Sequence, residues 1–226
     1  MSECNCPKRN AENPGCPVLK CPEPSERNCG GCEVLFNRKG SFIECYSGVH
    51  FWPLDARPDE VKIEDIAHAL SQICRFNGHT RFMWSVASHS LACMELAFAL
   101  GWSERIQLLA LMHDAAEAYI CDLARPVKGF IAGYKSLEIR LQETILKGLG
   151  MPLFCQQEIN RVKELDNIML VTEGFHLMPF QGWGSEYEPT NLVQIAERPM
   201  IEVEQEFLLN YARLKEMITC PSSLMN

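Results

Sequence analysis

Apolar residues recur at helical spacing through most of the chain after Pro58. The i, i+3, i+4 repeat is typical of helices that bury one face. The spacing predicts six helices: one after Asp59 that includes Ile63 to Cys74, then about 85–100, 104–120, one that ends at Gly150, about 156–174, and one after Pro199. Because the connections are short, we predict an all-α bundle of about six helices.

The third of these helices starts after Ser103, a residue type that favours the N-cap position. Its pattern runs from Glu104 to about Ile120 without a glycine or proline. The sequence therefore predicts one continuous helix capped by Ser103.

The residues before the helices have a different character. The stretch CEVLFNRKGSFIECYSG has two short β-prone runs on either side of residues 37–40, which predicts a hairpin with its turn at Asn37-Arg38-Lys39-Gly40. Residues 1–32 are rich in Pro, Gly, Asn and Cys and have neither a helical nor a strand period. We therefore divide the chain into a Cys-rich extension, 1–32, and a helical domain, 33–226.

The composition suits one domain with a small appendage, since the chain has 226 residues, of which 47% are hydrophobic and 22% charged. It has no apolar run of about 18 residues and no apolar signal-peptide segment near its start. We expect a cytoplasmic protein that does not enter membranes and that could form a homo-oligomer. The net charge of −8 argues against polymeric nucleic acid as a partner. A small anionic ligand would need locally placed cations.

Six of the twelve cysteines fall in the first 32 residues. Four of them, with x4 and x2 spacings, could hold a structural Zn²⁺: Cys16, Cys21, Cys29 and Cys32. The alternative is a flexible, thiol-rich extension, since disulfides are rare in a reducing cytosol.

Ionisable residues occupy helix positions where the period calls for apolar ones. The stripe of Ile106 and Ala110 continues into His113, Asp114 and Glu117. Asp166 shares a face with Val162 and Met169, and His89 lies on a face of small and apolar residues. A buried carboxylate needs a cation or a hydrogen-bond network.

Two interpretations account for His89, His113, Asp114 and Asp166. They could form a satisfied polar cluster within the core. They could instead bind one divalent metal of intermediate softness, such as Mn²⁺, Co²⁺, Fe²⁺, Ni²⁺ or Zn²⁺. Because two His and two Asp come from three helices of one bundle, we favour the metal.

The order of these residues, H…HD…D, resembles the signature of the HD-domain metal-dependent phosphohydrolases. The run MHDAAEAYICDLARPVK (112–128) resembles the segment HDxxE…xDLxxPVK of bacterial HD-domain 5′-deoxynucleotidases. The stretch 63–90 is similar to phage and proteobacterial HD phosphohydrolases, a group similar to the phage dATP triphosphohydrolases. The resemblance covers about residues 41–215 and implies an HD-domain helical bundle.

The resemblance implies that His89, His113, Asp114 and Asp166 bind the metal, and that Glu117 and Asp122 act beside it. Glu117 would orient or deprotonate the attacking water, and its alternative role is an ion pair with Arg105 or exposure to solvent. Asp122 would either assist the leaving oxygen or hydrogen-bond a sugar hydroxyl.

Further residues are candidates for substrate binding. Arg75 stands at a phosphate-binding position that is followed by Trp in the deoxynucleotidases and by Phe76 here. The candidate phosphate-binding cations are Arg75, His79, Arg81 and Lys128, with Arg125 and Lys135 as second choices. Phe76 and Trp84 could stack on a base, and the aromatic stretch 175–189, which includes Met178, Phe180 and Trp183, could form a lid.

The resemblance leaves two substrates open. The cations in GHTR (78–81) favour a dATP-type triphosphohydrolase that releases tripolyphosphate, with Mg²⁺ accompanying the substrate. The alternative is a 5′-deoxynucleotidase that acts on monophosphates. A non-catalytic, nucleotide-binding HD module is a third reading, which the presence of Glu117 and Asp122 disfavours.

Overall fold

The computed structural model describes residues 38–179 and 182–219. The predicted Cys-rich extension and its zinc ligands Cys16, Cys21, Cys29 and Cys32 lie outside the described residues. The first β-prone run of the predicted hairpin also lies outside them.

The described residues are mostly helical, which confirms the all-α prediction. Within the described ranges, three single-turn 3₁₀-helices precede or connect the α-helices: Pro53–Asp55, Pro58–Glu60 and Arg75–Gly78. In chain order the α-helices are α1 (Ile63–Gln72), α2 (Val86–Ala99), α3 (Glu104–Met112), α4 (Glu117–Ile120), α5 (Arg125–Lys128), α6 (Tyr134–Gly148), α7 (Gln156–Leu177) and α8 (Met200–Thr219).

A small antiparallel hairpin pairs β1 (Ile43–Glu44) with β2 (His50–Phe51). Its turn lies at residues 45–49, where the Cys45 N–H donates to the Val49 carbonyl at 2.8 Å. This turn comes later in the chain than the predicted one at residues 37–40, which follows a β-prone run outside the described residues and therefore stays a prediction. Phe51 on β2 is fully buried in the main core, and this anchor determines which residues pair with β1.

The predicted third helix is interrupted. Helix α3 ends at Met112, and the following residues form tighter turns, as in the bond from the Glu117 N–H to the Asp114 carbonyl at 2.9 Å. Ser103 precedes α3 as predicted, but its side chain makes no capping hydrogen bond. The continuous helix and the serine cap were both incorrect predictions.

Helix α2 lies between two hydrophobic clusters. Leu91 and Met94 pack into the larger cluster with the hairpin and α8, whereas Cys93 and Leu96 pack into a second cluster with α3 and α7. A helix that is enclosed on both sides is apolar almost all round. The polar residues His89 and Ser90 of α2 are consequently fully buried.

Within residues 38–179 and 182–219, no helix combines the length and the apolar character that crossing a membrane requires.

Candidate metal centre

Four polar side chains converge where α2, the turn after α3 and α7 meet. The Nε2 atom of His89 lies 3.3 Å from Nε2 of His113 and 3.3 Å from Oδ1 of Asp166. It lies 3.7 Å from Oδ2 of Asp114, which is also 3.2 Å from Nε2 of His113. The side chains predicted as ligands are thus brought together, although they come from distant parts of the sequence.

The Nδ1 atom of each imidazole forms a hydrogen bond to an acceptor. His113 Nδ1 donates to the Ala110 carbonyl at 2.7 Å, and His89 Nδ1 donates to Glu173 Oε1 at 2.6 Å. Because a carbonyl or an ionised carboxylate can only accept, the proton stays on Nδ1. In the neutral ring, Nε2 then presents its lone pair to the centre.

Cys93 lies one turn after His89 on α2 and is fully buried. Its Sγ is 3.6 Å from Nε2 and 4.0 Å from Nδ1 of His89. Donor atoms of His89, Cys93 and His113 all lie within 4.8 Å of one another, so this group could hold a metal ion. The sequence analysis did not include Cys93 among the candidate ligands.

The electrostatics of the centre favour positive charge. Burial raises the pKa of Asp166, but the hydrogen bond and charge of His89 outweigh it and bring the pKa to about 2. Burial likewise opposes ionisation of Asp114, whose pKa is nonetheless held well below its usual range by His113. The pKa of His113 in turn is lowered by burial but raised more strongly by Asp114, to about 10. The two carboxylates therefore stay ionised and require cationic neighbours.

A side chain from α6 interrupts the helical hydrogen bonding around His113 and Asp114. Gln142 Nε2 donates to the Met112 carbonyl at 2.6 Å, and Gln142 Oε1 accepts from the Ala116 N–H at 3.1 Å. In a continuous helix these two backbone groups would bond to each other. The inserted amide replaces that bond, which explains why α3 ends at this point.

Glu117 begins α4 and is only 3% exposed. Its Oε1 accepts from Lys128 Nζ at 3.3 Å, while Oε2 is buried with no hydrogen-bond partner among the described residues. Burial, together with Asp114 and Asp122, raises the pKa of Glu117 to about 9. The alternative pairing with Arg105 is ruled out, because Arg105 binds Glu158 at 2.8 Å.

Asp122 follows α4 immediately after Cys121, which has φ 65° and ψ 159°. This conformation is normally reserved for glycine, and such strain often accompanies functional sites. Asp122 Oδ2 lies 3.8 Å from Arg75 Nη1. Burial raises the pKa of Asp122, and Arg75 opposes that effect.

Arg75 is buried beside the centre. Its Nε donates to Glu173 Oε2 at 2.9 Å, and its Nη1 lies 3.9 Å from Asp114 Oδ2. Glu173, fully buried on α7, was missed by the sequence analysis. Its spacing of seven residues from Asp166 places both on one face of α7, and that periodicity could have identified it.

A cavity of about 980 Å³ opens beside these groups. Its wall includes Asp114, Asp166, Glu117 and Asp122. Three of the predicted substrate-binding residues also line it: Arg75, Phe76 and Lys128. Arg125 lines the cavity and its Nη2 is 3.5 Å from Asp166 Oδ2, and Trp183 contributes from the aromatic stretch 175–189.

Other predicted residues lie elsewhere. His79 and Arg81 are exposed and, like Lys135, are not in the described wall of the cavity; Arg81 Nη1 donates to the His176 carbonyl. Trp84 is 4% exposed and packs in the second core, against which Met178 also lies. Phe180 lies outside the described residues.

Two bacterial proteins are similar to this chain. The uncharacterized protein YfdR of Escherichia coli is 39% identical over 133 residues, which cover 59% of this chain and 70% of YfdR. The uncharacterized protein RCAP_rcc00048 of Rhodobacter capsulatus is 39% identical over 149 residues, which cover 63% of this chain and 76% of the relative. No protein-family model matches the chain. The extent of these matches shows that the chain belongs to the same family as YfdR and RCAP_rcc00048.

Proposed function

We propose that this protein is a metal-dependent phosphohydrolase that attacks the 5′-phosphorus of deoxynucleotides. The observation that carries the proposal is the position of Glu117. It lies in the wall of the same cavity as Asp114 and Asp166, with one buried oxygen that has no partner among the described residues. A buried carboxyl group whose pKa is raised, beside carboxylates whose pKa values are lowered, is the arrangement expected of an acid–base pair at a hydrolytic centre.

The donor set fits one divalent ion. Two imidazole Nε2 atoms and two ionised carboxylates, separated by 3.2 to 3.7 Å where they approach one another, are suited to Mn²⁺, Co²⁺, Fe²⁺, Ni²⁺ or Zn²⁺. His89, His113, Asp114 and Asp166 would hold it. A bound ion of this kind supplies an activated water and polarises a phosphoryl oxygen.

Cys93 is a weaker ligand than its proximity suggests. A sulfur that shared an ion with His89 Nε2 would lie much farther from Nδ1 than from Nε2, because the ion lies on the Nε2 lone pair at about 2.1 Å. The two distances here differ by little, at 3.6 and 4.0 Å. Cys93 therefore lies beside the imidazole ring, and the two carboxylates complete the proposed ligand set.

Glu117 is proposed as the group that exchanges a proton with the attacking water through its free Oε2. Lys128 holds the other oxygen in place and is itself held by Glu138 at 2.7 Å. Asp122, on the strained turn after α4, is placed to serve the leaving oxygen or a sugar hydroxyl. These two roles for Asp122 remain alternatives.

The remaining residues of the wall supply affinity for a nucleotide. Arg75, whose Nη groups are free of Glu173, is the proposed phosphate-binding cation, since guanidinium groups bind phosphate in a bidentate manner. Phe76 and Trp183, with ring centroids 6.0 Å apart, offer aromatic surfaces to a base.

Two observations on the cavity favour different substrates. The volume of about 980 Å³ is at the upper end of the range of about 300–1,000 Å³ found for small-molecule sites, which favours a deoxynucleoside triphosphate. The cations of the wall favour the monophosphate, because Arg75, Arg125 and Lys128 each already face a carboxylate. We propose the dATP-type triphosphohydrolase first and the 5′-deoxynucleotidase as the alternative.

The test is to incubate the protein, loaded with Mn²⁺ or Co²⁺, with dATP and separately with dAMP. Release of tripolyphosphate from dATP supports the first form, and release of orthophosphate from dAMP supports the alternative. If neither product forms from any deoxynucleotide, the proposed function is wrong. Nucleotide binding without turnover would instead indicate a non-catalytic module.

A further inference from the structure

Glu173 occupies a position between the candidate metal centre and the phosphate-binding cation. It is fully buried, as is His89, and each of its two oxygens accepts a hydrogen bond. Oε1 accepts from His89 Nδ1 at 2.6 Å, and Oε2 accepts from Arg75 Nε at 2.9 Å. One carboxylate therefore binds a proposed metal ligand and a proposed substrate-binding residue at the same time.

The contact with His89 fixes the chemical form of the imidazole. Because Glu173 only accepts, His89 keeps its proton on Nδ1, so that the neutral ring directs its Nε2 lone pair toward His113, Asp114 and Asp166. A carboxylate behind a metal-binding histidine also makes the ring a stronger donor.

The contact with Arg75 fixes the direction of the guanidinium group. With Nε committed to Glu173, the Nη groups point the other way, where Nη1 lies 3.8 Å from Asp122 and 3.9 Å from Asp114. Together with Asp114 and Asp122, Glu173 also compensates the charge of the buried Arg75.

We propose that Glu173 is a positioning residue that couples the metal centre to phosphate binding by orienting both His89 and Arg75. This inference rests on the proposed function. A glutamine at this position has the same shape but cannot accept two hydrogen bonds from donors on opposite sides. Its NH₂ group would face either His89 Nδ1, which favours the wrong tautomer, or Arg75 Nε, which turns the guanidinium group away.

The experiment compares Glu173→Gln with two variants of the full chain. Arg75→Lys replaces the guanidinium group that contacts Glu173 Oε2, Asp114 and Asp122 but leaves the bond between Glu173 Oε1 and His89 in place. Glu158→Gln removes a second glutamate–arginine pair of α7. Binding of Co²⁺ alone and of orthophosphate alone is measured by calorimetry, and ¹⁵N NMR of the imidazole reports the tautomer of His89.

We expect Glu173→Gln to weaken Co²⁺ binding by about 10–100-fold, the loss typical of removing a partner of a metal-binding histidine, and to weaken orthophosphate binding as well. Arg75→Lys should weaken only orthophosphate binding, and Glu158→Gln neither. Wild-type Co²⁺ affinity and an unchanged His89 tautomer in Glu173→Gln would overturn the inference. If Glu173→Gln does not fold, Glu173→Asp, whose carboxylate is one methylene shorter, takes its place: weakened binding of both Co²⁺ and orthophosphate supports the inference, and wild-type binding of both overturns it.

These readouts do not require turnover. A wild-type protein that hydrolyses deoxynucleotides, with a Glu173→Gln variant that binds Co²⁺ normally, would refute the inference and leave the proposed function intact. If the wild type hydrolyses no deoxynucleotide but Glu173→Gln weakens Co²⁺ binding, the proposed function is refuted and the positioning role of Glu173 is supported.

Discussion

Gln142 donates a hydrogen bond from its side chain to the backbone carbonyl of Met112 at 2.6 Å. Through this bond and the one it accepts from Ala116, a residue of α6 determines where α3 ends. The His113–Asp114 pair lies in the interrupted segment. The orientation of two proposed metal ligands therefore depends on a glutamine that does not approach the metal centre itself.

We predict that Gln142→Met weakens Co²⁺ binding by about 10–100-fold, because the apolar side chain allows the Met112 carbonyl and the Ala116 N–H to bond and α3 to continue. Gln107→Met is the control, since Gln107 is also a buried glutamine, on α3, whose Nε2 donates to the Trp102 carbonyl at 2.8 Å. It should lose about 1–3 kcal/mol of stability and keep its Co²⁺ affinity. Equal Co²⁺ affinities in both variants would contradict the role of Gln142.

Glu117→Ala should keep the metal and lose turnover. Removing a general acid or base typically costs about 10²–10⁴ in rate, whereas the four proposed ligands remain. Asp114→Ala should lose metal and activity together. The measurements are metal content by mass spectrometry and hydrolysis of dATP and dAMP. Full activity in Glu117→Ala would show that another group handles the water.

The stability of the metal-free protein should depend on pH through Glu117. Its pKa in the folded protein, about 9, lies above the value of about 4.3 for an unfolded chain. Between these values the folded state retains a proton that the unfolded state has released, so stability falls as pH rises through this window. Glu117→Gln removes this penalty.

We therefore expect chelator-treated Glu117→Gln to melt at least about 5 °C above wild type at pH 8.5, because each pH unit of this window costs the wild type up to about 1.4 kcal/mol, and close to wild type at pH 5. Glu138→Gln, which removes the other carboxylate bound to Lys128, is the control and should keep the wild-type pH dependence. A Glu117→Gln variant with the same melting profile as wild type would refute the raised pKa.

A ligand set with Cys93 and one without it predict different Co²⁺ affinities and spectra. If His89, His113, Asp114 and Asp166 bind the ion, Asp166→Asn should lower Co²⁺ affinity by more than the roughly 10–100-fold loss typical of an outer-sphere partner, and Cys93→Ala by less than about threefold. The Co²⁺ spectrum should lack a sulfur-to-metal charge-transfer band. Such a band, lost in Cys93→Ala, would instead establish the cysteine as a ligand.

Much of the architecture could be predicted from periodicity, because α1, α2, α6, α7 and α8 each carry apolar residues at regular spacing. The interruption of α3 could not. Residues 104–120 contain no glycine or proline, and the side chain that interrupts the helix comes from Gln142, which is 30 residues from Met112 along the chain. A local pattern holds no information about such a contact.

The candidate centre was predictable to the extent that polar residues stood out on apolar faces. His89 and Asp166 were found in this way, and the structure brings them to within 3.3 Å of each other. Glu173 lies beyond Met169, the last residue of the predicted face of α7, and was missed. His79, Arg81 and Trp84 were predicted because they are near the metal motifs in sequence, but they are not in the described wall of the cavity.

The contacts of Glu173 span 84 residues to His89 and 98 residues to Arg75. Their formation requires that α7 has already docked against α2, which closes loops of nearly half the chain. The centre thus exists only where α2, the turn after α3 and α7 have packed together. Because a metal would bind only this completed arrangement, its binding free energy would add to the stability of the fold. Metal occupancy would consequently report whether these three parts of the chain have docked.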